Sequence, residues 1–218
     1  MTRTQYHLEL EALQADVVRM ATMAGEAIHA SVEALKLLDV DRAERIVAAD
    51  DQIDALHLQL EDRCMRLIAL QQPMASDLRT ITAVFAITID LERLADHAEG
   101  VARCVQRLAG QPLLKPLIDI PRMEELVQQM LRDAIHAFLH RDVVLAEATA
   151  LKDDEVDALR SQVFRELLTY MMSDPATVSR ALELLLVAQD LERAADHVTN
   201  IAERVIYAVT GELRELNT

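Results

Sequence analysis

Four pairs of acidic residues in this chain share one spacing. Asp50 with Asp54, Glu92 with Asp96, Asp153 with Asp157, and Glu192 with Asp196 each lie four residues apart. On a helix that spacing places both carboxylates of a pair on the same side. Like charges so arranged disfavour an isolated helix by a few tenths of a kcal/mol, and the chain carries this cost at four places. Carboxylate oxygens are ligands for hard and intermediate cations, so the chemistry expected of these pairs is the binding of divalent or ferric ions such as Mg²⁺, Mn²⁺ or iron. The bland alternative is four sets of solvated acids on polar helix faces. The repetition of the pairs at matching places in the two halves counts against it.

The elements that must position these pairs are helices. Gly and Pro together number nine, aromatic residues make up 3% of the chain and apolar residues 51%, a composition rich in helix formers. Apolar periodicity predicts a first helix over about 5–38. Asp39 then caps a second that runs to about 71, and Pro73 breaks the chain before a third over about 75–108. Gly110, Pro112, Pro116 and Pro121 mark a linker over 111–121. A fourth helix is expected over about 122–140, and a fifth runs from the Asp142 cap to about 172. Ser173-Asp174-Pro175 opens a sixth that Gly211 stops. The segment Asp90-Leu91-Glu92-Arg93-Leu94-Ala95-Asp96-His97 returns as Asp190-Leu191-Glu192-Arg193-Ala194-Ala195-Asp196-His197, seven of eight identical. The expected fold is therefore all-α. Six long helices form two tandem, sequence-related antiparallel three-helix bundles, residues 1–110 and 122–218, joined by the Pro-containing linker.

Register brings the pairs together. With the second and third helices antiparallel about Pro73, Asp50 and Asp54 come level with Glu92 and Asp96. About Ser173, Asp153 and Asp157 come level with Glu192 and Asp196. On the third helix the stripe Ile87, Leu91, Leu94, Ala98, Val101 and Val105 faces the core, and Glu92 and Asp96 point away from it. The last helix repeats this with Leu184, Val187, Leu191, Ala194, Val198 and Ile201. The expectation is one metal site per half, near the surface.

The balance of 22 basic against 37 acidic residues, a formal charge of −15, opposes nucleic-acid binding, which requires neutralisation of phosphates by Lys and Arg. It favours cations and basic protein patches as partners. Cys64 and Cys104 lie in apolar-periodic segments without a CxxC partner and are expected as reduced core residues of a cytosolic protein. No secretory signal opens the chain and no apolar run reaches membrane-spanning length. No nucleotide-binding or hydrolase motif is present, so no catalytic residues are assigned. Two rivals remain. One is a ferritin-like carboxylate-bridged diiron enzyme built on Glu26-x-x-His29 and Asp54-x-x-His57, although Glu26 points away from its helix's apolar stripe. The other is a metal-free helical interaction module.

The octapeptide Gln72-Pro73-Met74-Ala75-Ser76-Asp77-Leu78-Arg79, the E-R-x-x-D blocks beginning at Glu92 and Glu192, and Leu168-Thr169-Tyr170-Met171-Met172 resemble the PhoU family of phosphate-transport accessory proteins. The resemblance extends over nearly the whole chain. It implies repeated E/D-x-x-x-D motifs that bind metal ions, in some members as multinuclear iron or zinc clusters, carried here by the eight acids above. It also implies a homodimer that works between the ATPase subunit of the phosphate ABC transporter and a phosphate sensor histidine kinase. Such a protein is a negative regulator of the phosphate regulon: cytoplasmic, and peripheral to the inner membrane only through its partners. Many relatives have Gly-Asp at the third-helix motif where this chain has Ala95-Asp96-His97, which leaves the role of His97 and His197 open.

Overall fold

The computed structural model describes residues 3–216, and every regular element among the described residues is helical. Three long helices make the first repeat: α1 (Arg3–Leu37), α2 (Val40–Gln71) and α3 (Ser76–Arg107). The second comprises α4 (Asp119–His140), α5 (Val143–Ala150), α6 (Asp153–Ser173) and α7 (Val178–Thr210). Local chemistry sets the boundaries. Asp39 accepts from the Arg42 amide and Asp142 from the Leu145 amide, each satisfying a donor that the first helical turn leaves without a partner. Gln72 and Arg141 end α2 and α4 in the left-handed conformation, and Gly211 ends α7 at φ 81°, where the absence of a Cβ removes the strain. Asp174 accepts from the Ala176 amide to open a 3-10 turn, Pro175–Thr177, that leads into α7.

Two boundaries differ from expectation. The fifth helix is broken at Leu151 and Lys152 into α5 and α6, so the six-helix plan contains one interrupted member. Three acids, Asp153, Asp154 and Glu155, crowd the first turn of α6, where the helix dipole favours negative charge. Lys152 donates to Asp133 of α4 at 2.7 Å and ties the break down. The helix after the linker also begins earlier than proline punctuation indicates. Pro121 lies inside the first turn of α4, where its missing N–H is no loss.

The apolar stripes read from sequence on α3 and α7 are all buried. Each fully buried Leu or Ile contributes about 1.5–3 kcal/mol. Both helices also bury small residues, Ala95 and Ala102 on α3 and Ala188, Ala195 and Ala202 on α7. These helices form the most extensive contact in the fold, supported by α1 against α4. The apolar core is continuous through both repeats. Cys64 and Cys104 are buried and free, and burial pushes both thiols up to about 12.

Candidate functional site

In the first repeat, Asp50 and Asp54 of α2 face Glu92 and Asp96 of α3. Partial burial, followed by the charges of Asp54, Asp96, Glu99 and Glu92, pushes the Asp50 carboxyl up to about 6. Glu92 is raised by burial first and by Asp96 next, with Arg93 opposing and Asp54 adding. In the second repeat Glu192 is raised by burial, opposed by Arg160, and raised further by Asp196 and Asp157. Asp196 is raised by burial and then by Asp157. Asp157, Glu192 and Asp196 are thus brought together. Asp153 is buried at the start of α6. Both clusters are partly exposed, Glu92 and Glu192 by about 20%.

The clusters are not closed cages. Among the described residues, no three His, Cys, Asp or Glu side chains stand together as a ready ligand set. Mutual repulsion keeps uncompensated carboxylates apart. In donor chemistry the first cluster fits a cation well: several oxygens share one half-buried groove at an electrostatic cost that a positive ion would remove. His57 stands beside this cluster, close enough that its charge would lower Glu92. Its Nδ1 is buried without a hydrogen-bond partner, and its Nε2 is 3.7 Å from Glu61. This imidazole stands near Glu92 as a further nitrogen donor. Arg93 forms ion pairs with Glu92 at 3.4 Å and Asp96 at 2.9 Å.

His97 and His197 stand beside Asp96 and Asp196, one acid from each cluster. They face one another across the α3–α7 contact, with ring centroids 5.6 Å apart and planes at 28°. Nδ1 of His97 is 3.1 Å from Asp190, and Nδ1 of His197 is 3.0 Å from Asp90, which also accepts from Asn200. Each repeat therefore supplies a histidine to the other's aspartate. The two rings, with Arg93, Asp96, Arg193, Asp196 and Asn200, line a cleft of about 610 Å³. Gly100 makes this crossing possible, since a Cβ there would meet Asp190 Oδ2 at 2.6 Å. Asp90 and Asp190 were visible in the repeated octapeptide, but their partners lie in the other repeat, and helix periodicity carries no signal for that.

The diiron alternative loses its key pair. His29 is 59% exposed and meets Glu124 of α4 at 3.2 Å. Glu26 and His29 line the wide groove between α1 and α4 and not the interior of a bundle.

Comparison with known proteins accounts for this arrangement. The PhoU domain model matches residues 17–105 and again 120–205, one match per repeat. The chain belongs to the PhoU family. A phosphate-specific transport system accessory protein PhoU homolog from Aquifex aeolicus is 44% identical over 205 residues, 94% of this chain and 93% of that protein. The homolog from Clostridium acetobutylicum is 38% identical over the full length of both. The crystal structure of PhoU from Pseudomonas aeruginosa superposes with a TM-score of 0.90 at 36% identity, covering 95% of this chain and all of the other. That of the phosphate transport system regulatory protein PhoU from Streptococcus pneumoniae gives 0.90 at 31% identity, covering 96% and 99%.

Proposed function

We propose that this chain regulates phosphate uptake and phosphate-starvation signalling as a metal-binding adaptor. Its partners in this reading are the ATPase subunit of a phosphate ABC transporter and a phosphate sensor histidine kinase, and its effect is to hold the phosphate regulon off. The observation that carries the reading is the separate match of both repeats to the PhoU domain, together with full-length relatives named as accessory proteins of the phosphate-specific transport system. The sequence supports an adaptor: it has an acidic surface of net charge −15 and no nucleotide-binding or hydrolase motif. No helix among the described residues is long and apolar enough to cross a membrane, and in this reading the chain is cytoplasmic, a homodimer, and reaches the inner membrane through its partners.

In the metal part of the proposal, Asp50, Asp54, Glu92 and Asp96 hold ions in the first repeat. Asp153, Asp157, Glu192 and Asp196 hold them in the second. A bound cation would supply positive charge and open coordination positions at an otherwise repelling surface. The chain's own residues do the rest: rigid helices set the height of the carboxylates, and partial burial removes competing water.

The test is direct binding of the folded full chain, metal-loaded, to the purified ATPase subunit and to the cytoplasmic region of the kinase. It is paired with a phosphate-regulon reporter in a strain lacking the gene. Binding to both and derepression at high phosphate are expected, and no binding to either partner overturns the adaptor role. A folded Glu192→Gln/Asp196→Asn variant is expected to bind the kinase more weakly, because a lost bridging charge costs affinity. Equal affinities would leave the adaptor standing and remove metal from the docking.

A further inference from the structure

The two repeats differ where their first two helices meet. With Asp39 matched to Asp142 and Asp50-Asp51 to Asp153-Asp154, Ala27, Ala30 and Ala49 of the first repeat correspond to Met130, Asp133 and Lys152 of the second. Arg42 and Arg45 correspond to Leu145 and Ala148. In the second repeat Met130 is fully buried, and Lys152 donates to Asp133 at 2.7 Å, so bulk and an ion pair occupy these places. In the first repeat the three alanines line an open cavity of about 420 Å³ between α1 and α2, walled by Met23, Ile46 and Ile53 and bordered by Arg42 and Arg45. We propose that this cavity binds a nucleoside phosphate of the size and chemistry of adenosine monophosphate. The site is independent of the metal reading above and goes beyond it.

Each part of the lining answers a part of that ligand. Neither guanidinium forms an ion pair among the described residues, although the charge of Arg42 reaches Glu33. Arg66, Arg103 and Arg107, by contrast, each hold a carboxylate at 2.7–2.8 Å. Arg42 and Arg45 are three residues apart on α2 and share one of its sides. Two uncommitted guanidiniums so placed suit the oxygens of a phosphate, which they meet in charge-assisted hydrogen bonds. A phosphate alone would leave most of the space wet, since a water molecule takes only about 30 Å³ in the liquid. A cavity of about 420 Å³ falls within the range of about 300–1,000 Å³ typical of small-molecule sites. Met23, Ile46 and Ile53 offer apolar contact to the faces of a base. Glu26, Asp50 and Gln52 complete the lining. The two carboxylates repel a second anionic group and accept hydrogen bonds from donors. A ribose and an exocyclic amine supply such donors, and the tail of a fatty acid does not. The second repeat has neither arginine, so one ligand per chain follows.

The experiment titrates adenosine monophosphate into the full chain by calorimetry, in chelator so that no metal ion captures the phosphate. One molecule per chain is expected, with adenosine and inorganic phosphate each at least tenfold weaker. Two variants give the first repeat the second repeat's own residues. Ala27→Met fills the space and Arg42→Leu/Arg45→Ala removes the charge, and each should weaken binding at least tenfold while the protein stays folded. In methyl-labelled protein the nucleotide should shift the resonances of Met23, Ile46 and Ile53. Folded wild type that binds no adenosine monophosphate at millimolar ligand overturns the proposal. So does an affinity that the folded arginine variant keeps, or one that inorganic phosphate equals.

Discussion

Asp50 is the residue at which the electrostatics of the cluster are most concentrated. Its carboxyl is pushed from 3.8 to about 6, chiefly by burial and then by four neighbouring acids, so the folded protein holds a proton that the unfolded chain has released. Stability of the metal-free protein therefore falls as pH rises from about 3.8 to about 6, and the penalty is complete above that range. Asp50→Asn is expected to stabilise metal-free protein at pH 8 by about 1 kcal/mol, after discounting for solvent screening, and to change nothing at pH 3.5. Denaturant melts in chelator at the two pH values measure this. In the proposed metal reading the same substitution should weaken Zn²⁺ binding, measured by calorimetry. The eight acids were legible from spacing alone, because a period of four on a helix is a direct geometric statement. His57 was singled out only through its spacing from Asp54, and Glu99 and Arg160 were not singled out. Their significance depends on what the adjacent helix presents at the same height, and sequence spacing does not encode that.

Helices α3 and α7 carry both the acids and the contact between repeats. The ranges, caps and apolar stripes of these helices followed from composition and periodicity. The partner α3 meets in the other repeat did not, because nothing local says which helix the face carrying Asp90 and His97 will meet. At this crossing Gly100→Ala would drive a Cβ into Asp190 and displace the carboxylate from His97. The expected cost is about 1–3 kcal/mol, read as a lower denaturation midpoint. Asp90→Ala should cost a similar amount, because it strands His197 and Asn200 at once. The break between α5 and α6 escaped the sequence reading because apolar periodicity continues through it. Asp142→Ala, which removes the cap of the short α5, should cost about 1 kcal/mol.

At the scale of the whole molecule, a core that runs unbroken through both repeats predicts one calorimetric unfolding transition, not two. Two resolved transitions would show that each repeat melts by itself. A surface of net charge −15 also repels itself. Raising the salt from about 10 mM to about 500 mM shortens the screening length severalfold and should raise the Tm of metal-free protein by a few degrees. Substoichiometric Zn²⁺ at low salt should do the same through binding to the folded form alone. An unchanged Tm with Zn²⁺ would argue against any folded-state site. The duplicated architecture itself was readable from the repeated octapeptide, since charged residues returning at fixed places in helices are not demanded by packing.

The reciprocal bonds His97–Asp190 and His197–Asp90 have the form of an isologous contact, in which residue i of one unit meets j of the other and j meets i. Two identical three-helix subunits related by a dyad would make the same pair of bonds. The linker between α3 and α4 now makes that encounter intramolecular, raising the effective concentration of each half for the other and making their association independent of dilution. Once joined, the halves no longer had to be the same. A symmetric dimer must place histidine at both equivalent positions or arginine at both. A fused one can hold His57 three residues after Asp54 in one repeat and Arg160 three residues after Asp157 in the other, a difference that two identical subunits cannot have.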